Sequence, residues 1–316
     1  MEEITIPQLQ HLNRIFARLF SVRPQSIAII GDWQNGKSTL LKQIIDPRIH
    51  ASFKPETLQP FFFLYDIGSG FQDWEHLLQT MVTHLADASG SEIPPGNHYH
   101  TFQELVKRLQ DRYCIYVLFD NFELLTQNPQ VPLEFYSYLR SLANSYRIAY
   151  VTTSRASLQS QCVSQDICES PFFNIFTNIE LKGFTASDTA ALIQACGSSA
   201  DPVQSFALCG GHPGLTRRWL EHVQFQGPSR EEFIAANTDY TVEWINHFDA
   251  DTTTVLRAAA QGTPVPQPLK YLHETLIRKG YLNAAGQIAP EVFRVQLQST
   301  AKPEKKAGLF KHLFRK

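Results

Sequence analysis

The sequence predicts an α/β fold in which a mainly parallel sheet carries helices on both faces, followed by a second region built of helices. Short apolar runs rich in β-branched and aromatic residues alternate with amphipathic stretches through the first half of the chain. Such strand–helix–strand units form right-handed crossovers, which place parallel strands side by side and bury both faces of the sheet. After residue 181 this alternation gives way to helical patterns.

The elements of the first half follow from the spacing of apolar residues. The first helix is predicted from Leu9, Leu12, Phe16 and Leu19, which recur at helical spacing before Pro24. Strands are predicted within 26–31, 60–67, 114–125, 147–155 and 176–181, and helices within 7–22, 37–45, 71–85, 102–109 and 132–144, with a loop over 89–100.

The second half is predicted to hold two helical modules. A helix over 185–197 opens at a cap-forming Thr185 or Ser187, and a Gly/Pro turn splits 205–223 into two helical stretches. Residues 241–297 contain two or three short helices and end in an order of helix, turn, strand, turn and strand. That order predicts a winged helix.

Composition limits the function classes. The chain has 316 residues, 43% of them hydrophobic, and a net charge of −2, so no global charge favours nucleic acid or anionic lipid. Its five cysteines include no CxxC pair, which favours reduced thiols over zinc ligation or a disulfide framework. We expect a cytoplasmic protein, since neither a secretory signal nor a membrane-spanning run is visible.

The stretch GDWQNGKST fits the Walker A pattern and follows the first predicted strand directly. Glycines at both ends of such a loop let successive backbone N–H groups point at phosphate oxygens, while the lysine neutralises phosphate charge. The hydroxyl of the serine that follows the lysine then coordinates Mg²⁺, and the following helix directs its positive end at the anion. The predicted phosphate-binding residues are Gly31, Asp32, Trp33, Gln34, Asn35, Gly36, Lys37, Ser38 and Thr39.

The stretch VLFDNFE supplies the acids that nucleotide hydrolysis requires. Asp120 ends an apolar strand and is the predicted Mg²⁺-side carboxylate, acting with Ser38. The next position, where many P-loop ATPases carry a glutamate, is Asn121. Glu123 is therefore the predicted catalytic acid/base, with a solvated residue at a loop start as the alternative.

Polar residues also end the fourth predicted strand, in the stretch TTSR. Thr153 or Ser154 is predicted to contact the attacking water. Arg155 is predicted to reach phosphate charge, with a surface salt bridge as its alternative.

These motifs, taken in order, resemble those of STAND P-loop ATPases, which are relatives of AAA+ proteins. VLFDNFELL looks like their Walker B form, YVTTSRASL like their fourth-strand motif, and GGHPGL like the Gly-x-Pro element of their helical lid. The resemblance implies ATP and ADP as ligands, Pro213 against the adenine, slow hydrolysis, and a switch that oligomerises in the ATP state. His212 is either a nucleotide contact or, more often for such a residue, structural.

The resemblance implies a modular organisation. The predicted divisions are an N-terminal helix (1–22), a P-loop NTPase core (23–182), a helical lid (183–238), a winged-helix-like domain (239–298), and a linker with a basic amphipathic tail (299–316). Because no repeat array follows the winged helix, we expect self-association or a separate sensor or effector protein.

The C-terminal stretch KKAGLFKHLFRK predicts a short basic helix with one apolar side. Leu309, Phe310, Leu313 and Phe314 share that side, which suits the interface of an anionic membrane. It resembles the targeting helices of bacterial MinD-type ATPases, so the inner face of the cytoplasmic membrane is one expected location. Docking on protein and a solvated or nucleic-acid-binding tail are the alternatives.

Two other functions stay open. One is a DNA-associated AAA+-type ATPase that binds a DNA groove with its winged helix. The predicted recognition region, 268–282, carries only Lys270, Arg278 and Lys279 as basic residues, which weighs against it. The other is a nucleotide-binding scaffold without useful hydrolysis, which Asn121 allows.

Overall fold

The computed structural model describes residues 9–53, 59–69 and 71–299. The chain forms two compact units that divide between Lys182 and Gly183. No helix within these described ranges is both long and apolar enough to cross a membrane. The predicted tail at 299–316 lies beyond them, apart from its first residue.

The first unit is built on one parallel sheet, as predicted. Its strands are β1 (Ser26–Ile30), β2 (Gln59–Asp66), β3 (Tyr113–Asp120), β4 (Ile148–Ser154) and β5 (Phe176–Glu180). They lie in the order β2-β3-β4-β1-β5, and every neighbouring pair is parallel. The carboxyl ends of all five strands therefore meet at one edge.

Helices cover both faces of this sheet. They are α1 (Leu9–Leu19), α2 (Lys37–Ile45), α3 (Trp74–Ser89), α4 (His98–Leu109) and α5 (Leu133–Ser145), with one-turn helices at Pro47–His50, Glu123–Thr126 and Gln165–Cys168 and 3-10 turns at Leu158–Gln161 and Pro171–Ile175. Alternate residues of β3 belong to two different cores: Val117 packs in the core that includes α3, α4 and α5, and Leu118 in the core that includes α1 and α2. This two-sided burial explains the nearly continuous apolar runs of the strands.

Two details of the first unit differ from the sequence prediction. Leu9, assigned to the apolar stripe of the first helix, is 60% exposed, and Ile15 is buried in that helix instead. The predicted loop over 89–100 ends early, because the Asn97 side chain accepts a hydrogen bond from the His100 N–H and so caps a helix beginning at His98.

The second unit is helical. Its helices are α6 (Ala186–Ala195), α7 (Pro202–Cys209), α8 (Pro213–Gln226), α9 (Arg230–Ala236), α10 (Thr238–Asn246), α11 (Ala250–Gln261), α12 (Lys270–Lys279) and α13 (Glu291–Ser299), with a 3-10 turn at Gln267–Leu269. A capping box between Thr185 and Asp188 starts α6, at the position the sequence indicated. Helix α9 was not predicted.

The prediction of a final strand near the end of 241–297 is wrong. Residues 291–299 form α13, whose Phe293 and Leu297 are both buried and lie four residues apart on one helical face. Between α12 and α13, Leu282 and Ile288 make an isolated antiparallel bridge, so the predicted pair of strands is reduced to this contact. The β-branched residues of the segment favoured a strand, but helix packing decided its structure. The winged-helix assignment stays a prediction.

Candidate nucleotide-binding site

The Walker A stretch joins the end of β1 to the start of α2, as the sequence predicted. Gly31 N–H donates to the Ser154 carbonyl at 3.1 Å, which ties the loop to the neighbouring strand β4. Gly36 caps α2 with φ 85° and ψ 14°, a left-handed conformation that glycine adopts without steric cost. Gln34 also has a positive φ of 51°, so the loop curls tightly before the helix.

Lys37 is buried inside this loop. Its Nζ donates to the Gly31 carbonyl at 2.7 Å and to the Asp32 carbonyl at 2.9 Å. Burial lowers the pKa of Lys37, while the nearby charges of Glu123 and Asp120 act in the opposite direction. The lysine head group therefore lies within the field of both predicted acids.

The other Walker A side chains occupy different environments. Asn35 is buried, and its Nδ2 donates to the Leu181 carbonyl at 2.6 Å, so this side chain anchors the loop to the segment after β5. Trp33 is half-buried in the loop. Ser38 is exposed and Thr39 half-buried in the first turn of α2.

Asp120 ends β3 and is 6% exposed. The Thr153 hydroxyl on β4 donates to Asp120 Oδ1, and the Asn121 N–H donates to the same oxygen at 3.1 Å. Both bonds go to Oδ1, which leaves Oδ2 as the carboxylate oxygen available to a further partner.

Glu123 begins the one-turn helix that follows this strand and is 5% exposed. Its Oε2 has no hydrogen-bond partner among the described residues. Burial raises the pKa of Glu123, although its own backbone N–H, Lys37 and Arg155 act to lower it. The alternative of a solvated loop residue is therefore wrong, because this carboxylate lies inside the protein.

Arg155 follows β4 directly and lies beside Glu123, with Nε 3.9 Å from Glu123 Oε1. Its side chain is 47% exposed, so the guanidinium lies at the solvent side of the acid. The predicted surface salt bridge thus exists, and its partner is the predicted catalytic acid. The sheet brings Lys37, Asp120, Glu123 and Arg155 together at one edge.

The two hydroxyls predicted to contact the attacking water instead make hydrogen bonds within the protein. Thr153 is fully buried, and its Oγ1 also accepts the Asn121 N–H at 2.9 Å. Ser154 is fully buried and donates to the Ala156 carbonyl at 2.6 Å. Thr153 instead holds the acid-bearing turn, a role visible only once β3 and β4 are known to be neighbours.

Pro213 lies in the second unit, at the first position of α8. His212 precedes it as the N-cap, where Nδ1 accepts the Leu215 N–H at 3.2 Å. The His212 ring also packs against Trp244, with ring centroids 4.0 Å apart. These contacts favour the structural interpretation of His212.

Sequence reasoning missed Asp66. This residue ends β2, is paired in register with Asp120, and accepts the Asn121 Nδ2 hydrogen at 2.9 Å. The signal was present, because PFFFLYD has the same form as VLFD, an apolar strand ending in aspartate.

A strand that runs into a glycine-bounded loop, a lysine and a helix, with an acid at the end of a nearby parallel strand, defines the class of P-loop NTPases. A family model described as Novel STAND NTPase 2 matches residues 101–254. The match is slightly less than half of the chain and includes the acid-bearing turn. A search of curated proteins found no match.

Solved structures share this fold across nearly the whole chain. The Walker-type ATPase of Pyrococcus abyssi is 15% identical, with 93% of this chain and 96% of that chain covered and a TM-score of 0.61. The Aeropyrum pernix ORC2 protein, solved as ADPNP–ADP complexes, is 14% identical over 95% and 97%, with a TM-score of 0.57. The ORC1 protein of that organism, in complex with DNA, is 12% identical over 93% and 92%, with a TM-score of 0.50.

At these identities the structural likenesses show the fold alone. The family match and the Walker motifs thus make this chain similar to STAND-type P-loop NTPases, and the solved structures show the shared fold.

Proposed function

We propose that the protein binds ATP with Mg²⁺, hydrolyses it slowly, and changes its conformation or oligomeric state with the bound nucleotide. The observation that carries this proposal is the cluster of Lys37, Asp120 and Glu123 at the carboxyl edge of the sheet. Glu123 is buried there with an oxygen that has no hydrogen-bond partner among the described residues. Burial of such a carboxylate lowers the free energy of unfolding, and groups of this kind are concentrated at functional sites.

The Walker A residues, 31–39, fit a triphosphate. Phosphate oxygens would offer Lys37 Nζ stronger, charge-assisted partners than the two carbonyls it contacts here. Ser38 and Asp120 would hold Mg²⁺, which neutralises phosphate charge when it is bound. Pro213 would contact the adenine, as the STAND resemblance implies.

Glu123 would orient the attacking water and accept its proton. Its raised pKa makes it a better base near neutral pH than an ordinary glutamate. Arg155, whose Nε lies 3.9 Å from Glu123 Oε1, would stabilise charge that develops on the phosphate during transfer. We therefore expect Glu123→Gln to lower kcat by about 100-fold while ATP affinity stays within about threefold.

Calorimetry with ATP and ADP, together with phosphate release, tests the proposal. Wild type should bind both nucleotides with Mg²⁺, whereas Lys37→Ala should bind them at least about tenfold more weakly and release no phosphate. Absence of binding by wild type would refute the proposal. If wild type binds nucleotide but releases no more phosphate than Lys37→Ala, the result would favour the alternative of a nucleotide-binding scaffold without useful hydrolysis.

The proposed change of oligomeric state with nucleotide is tested by measuring the mass of the particle. Light scattering should give a larger particle with a non-hydrolysable ATP analogue than with ADP, since the STAND resemblance implies assembly in the ATP state. One unchanged mass in both states, with and without anionic vesicles, would argue against self-association and leave a separate sensor or effector protein as the partner.

The proposal also includes peripheral attachment to a membrane. The residues that would make this attachment lie outside the described ranges. The basic and apolar residues of 305–316 support it. Vesicles containing anionic lipid should recruit the full chain but not the double variant Phe310→Asp with Phe314→Asp. Equal recruitment of the two proteins would exclude this segment as the anchor.

A DNA-associated ATPase is the second candidate. The shared fold with the ORC1 protein solved in complex with DNA favours it, and α12 carries Lys270, Arg278 and Lys279. A gel shift with duplex DNA that weakens as salt rises would support this function. Lack of binding at low salt would remove it.

A further inference from the structure

We propose that Asn121 is a positioning residue for the catalytic turn, acting through the bond between its amide and Asp66. This role rests on the hydrolysis proposed above. Strands β2 and β3 are neighbours, and their last residues, Asp66 and Asp120, are paired in register. Asn121 follows Asp120 and directs Nδ2 to Asp66 Oδ1 at 2.9 Å, a bond across the ends of the two strands.

The Asn121 backbone connects the remaining parts of the turn. It has φ 58°, in the left-handed region that asparagine tolerates better than most residues. Its N–H is shared between Thr153 Oγ1 and Asp120 Oδ1, and its carbonyl accepts the Leu124 N–H at 3.0 Å. One residue therefore joins the ends of β2, β3 and β4 to the one-turn helix that begins at Glu123.

Asp66 is arranged as a fixed, ionised acceptor. Its Oδ1 also accepts the Gly68 N–H at 2.9 Å, and its Oδ2 accepts the Ser69 hydroxyl at 2.8 Å. Burial acts to raise the pKa of Asp66, but the bonds from Ser69, Asn121 and Gly68 outweigh it and lower the pKa. The amide bond to Asn121 is thus charge-assisted.

The hydrogen bond between Asn121 and Asp66 is closely packed against Gly68. A Cβ at Gly68 would lie 3.2 Å from both Asn121 Nδ2 and Asp66 Oδ1, so a side chain there would press on the bond. The hydrogen bonds to both Asp66 oxygens lower the pKa of its carboxyl, which makes Asp66 a weaker base toward water than Glu123. Glu123 Oε2, without a partner among the described residues, remains the group that takes a proton from water.

This arrangement explains why the acid stands two positions beyond Asn121. A glutamate at position 121 would place a carboxylate against Asp66 and would require a left-handed backbone that glutamate disfavours. The turn that Asn121 stabilises begins the short helix that buries Glu123. Loss of the amide bond should misplace Glu123 without disturbing the Walker A loop.

Asn121→Asp tests the proposal, since it keeps a residue that tolerates the backbone conformation but sets two carboxylates against each other. We expect kcat to fall about 100-fold while ATP affinity changes less than about threefold, because the phosphate-binding loop is intact. The exchanged pair, Asp66→Asn with Asn121→Asp, restores a donor opposite an acceptor but loses the Gly68 N–H bond to Asp66 Oδ1, so it should recover only part of the lost kcat.

Two further variants complete the design. Asn121→Gly keeps the left-handed conformation and removes only the amide, so it should lower kcat without adding charge, and it serves if Asn121→Asp does not fold. Asn144→Asp carries the same charge change near the end of α5, before β4 begins at the opposite edge of the sheet, and should retain wild-type kcat.

Wild-type kcat in Asn121→Asp, or in Asn121→Gly, would overturn the proposal. Failure of the proposed function has a different signature. In that case wild type itself would release no more phosphate than Lys37→Ala, and no Asn121 variant would be needed to detect it.

Discussion

The Thr153 hydroxyl donates a hydrogen bond to Asp120 across neighbouring strands. It also accepts the Asn121 N–H, so one buried hydroxyl fixes both the predicted metal-side acid and the turn that follows it. The contact lies on the side of Asp120 away from solvent, where Thr153 is fully buried.

Thr153→Val, which keeps the shape and removes the hydroxyl, should therefore lower both activity and stability. We expect kcat to fall about tenfold or more. The free energy of unfolding should fall by about 1–3 kcal/mol, because buried groups lose their partner. Phosphate release and thermal unfolding measure the two effects. Thr153→Ser keeps the hydroxyl and is the matched control, and a Val variant that equals it in both measurements would contradict the role.

Glu123→Gln should stabilise the protein at neutral pH. The folded pKa of Glu123 lies above its ordinary value of 4.5, so between these two values the folded state binds more protons than the unfolded state. Stability is therefore lost as pH rises through the folded pKa. A neutral glutamine avoids this loss, and the thermal midpoint should rise by roughly 2 °C at pH 7.5.

The difference in thermal midpoint between wild type and Glu123→Gln should vanish below pH 4.5, where Glu123 is protonated in both the folded and the unfolded state. Thermal scans of both proteins from pH 4 to pH 8 would show this, within the range in which each refolds. A Gln variant that is less stable than wild type at neutral pH would show that the ion contacts of Glu123 outweigh its burial.

Removal of the Arg155 charge should shift the pH dependence of hydrolysis. The Arg155 guanidinium acts to lower the pKa of Glu123, so Arg155→Ala should raise that pKa further. The acidic limb of the kcat profile, which reports the base in the enzyme–substrate complex, should move to higher pH. Arg155→Lys keeps the charge and should leave the limb near its wild-type position. A limb that does not move in the Ala variant would mean that Glu123 is not the group titrated.

His212→Ala should destabilise the helical unit while the Walker A residues keep their affinity for ATP. The variant loses a helix cap and the contact between the His212 and Trp244 rings, at a cost of about 2 kcal/mol together. His212→Asn keeps a capping side chain and should recover about half of that loss. Thermal unfolding and calorimetry with ADP separate the effects. Full stability combined with weaker nucleotide binding would instead favour a nucleotide contact.

Elements whose signal comes from residues close together along the chain were predicted correctly from the sequence. The Walker A loop is specified by glycine, lysine and serine at fixed spacing between a strand and a helix, and strands β1 to β4 by nearly continuous apolar runs. The Walker A, Walker B and fourth-strand motifs each lie within a few residues of one strand end, so their order along the chain was sufficient to predict a resemblance to STAND P-loop NTPases.

The neighbours of each strand end, by contrast, became known from the folded structure. Asp66 and Asn121 are far apart in sequence, and so are Asp120 and Thr153, and no local pattern shows that β2, β3 and β4 are adjacent. The burial of Glu123 and the helical form of residues 291–299 were decided in the same way. The physical reason is that a hydrogen bond or a buried carboxylate depends on the residues across the sheet, whereas propensity and period report only neighbours along the chain.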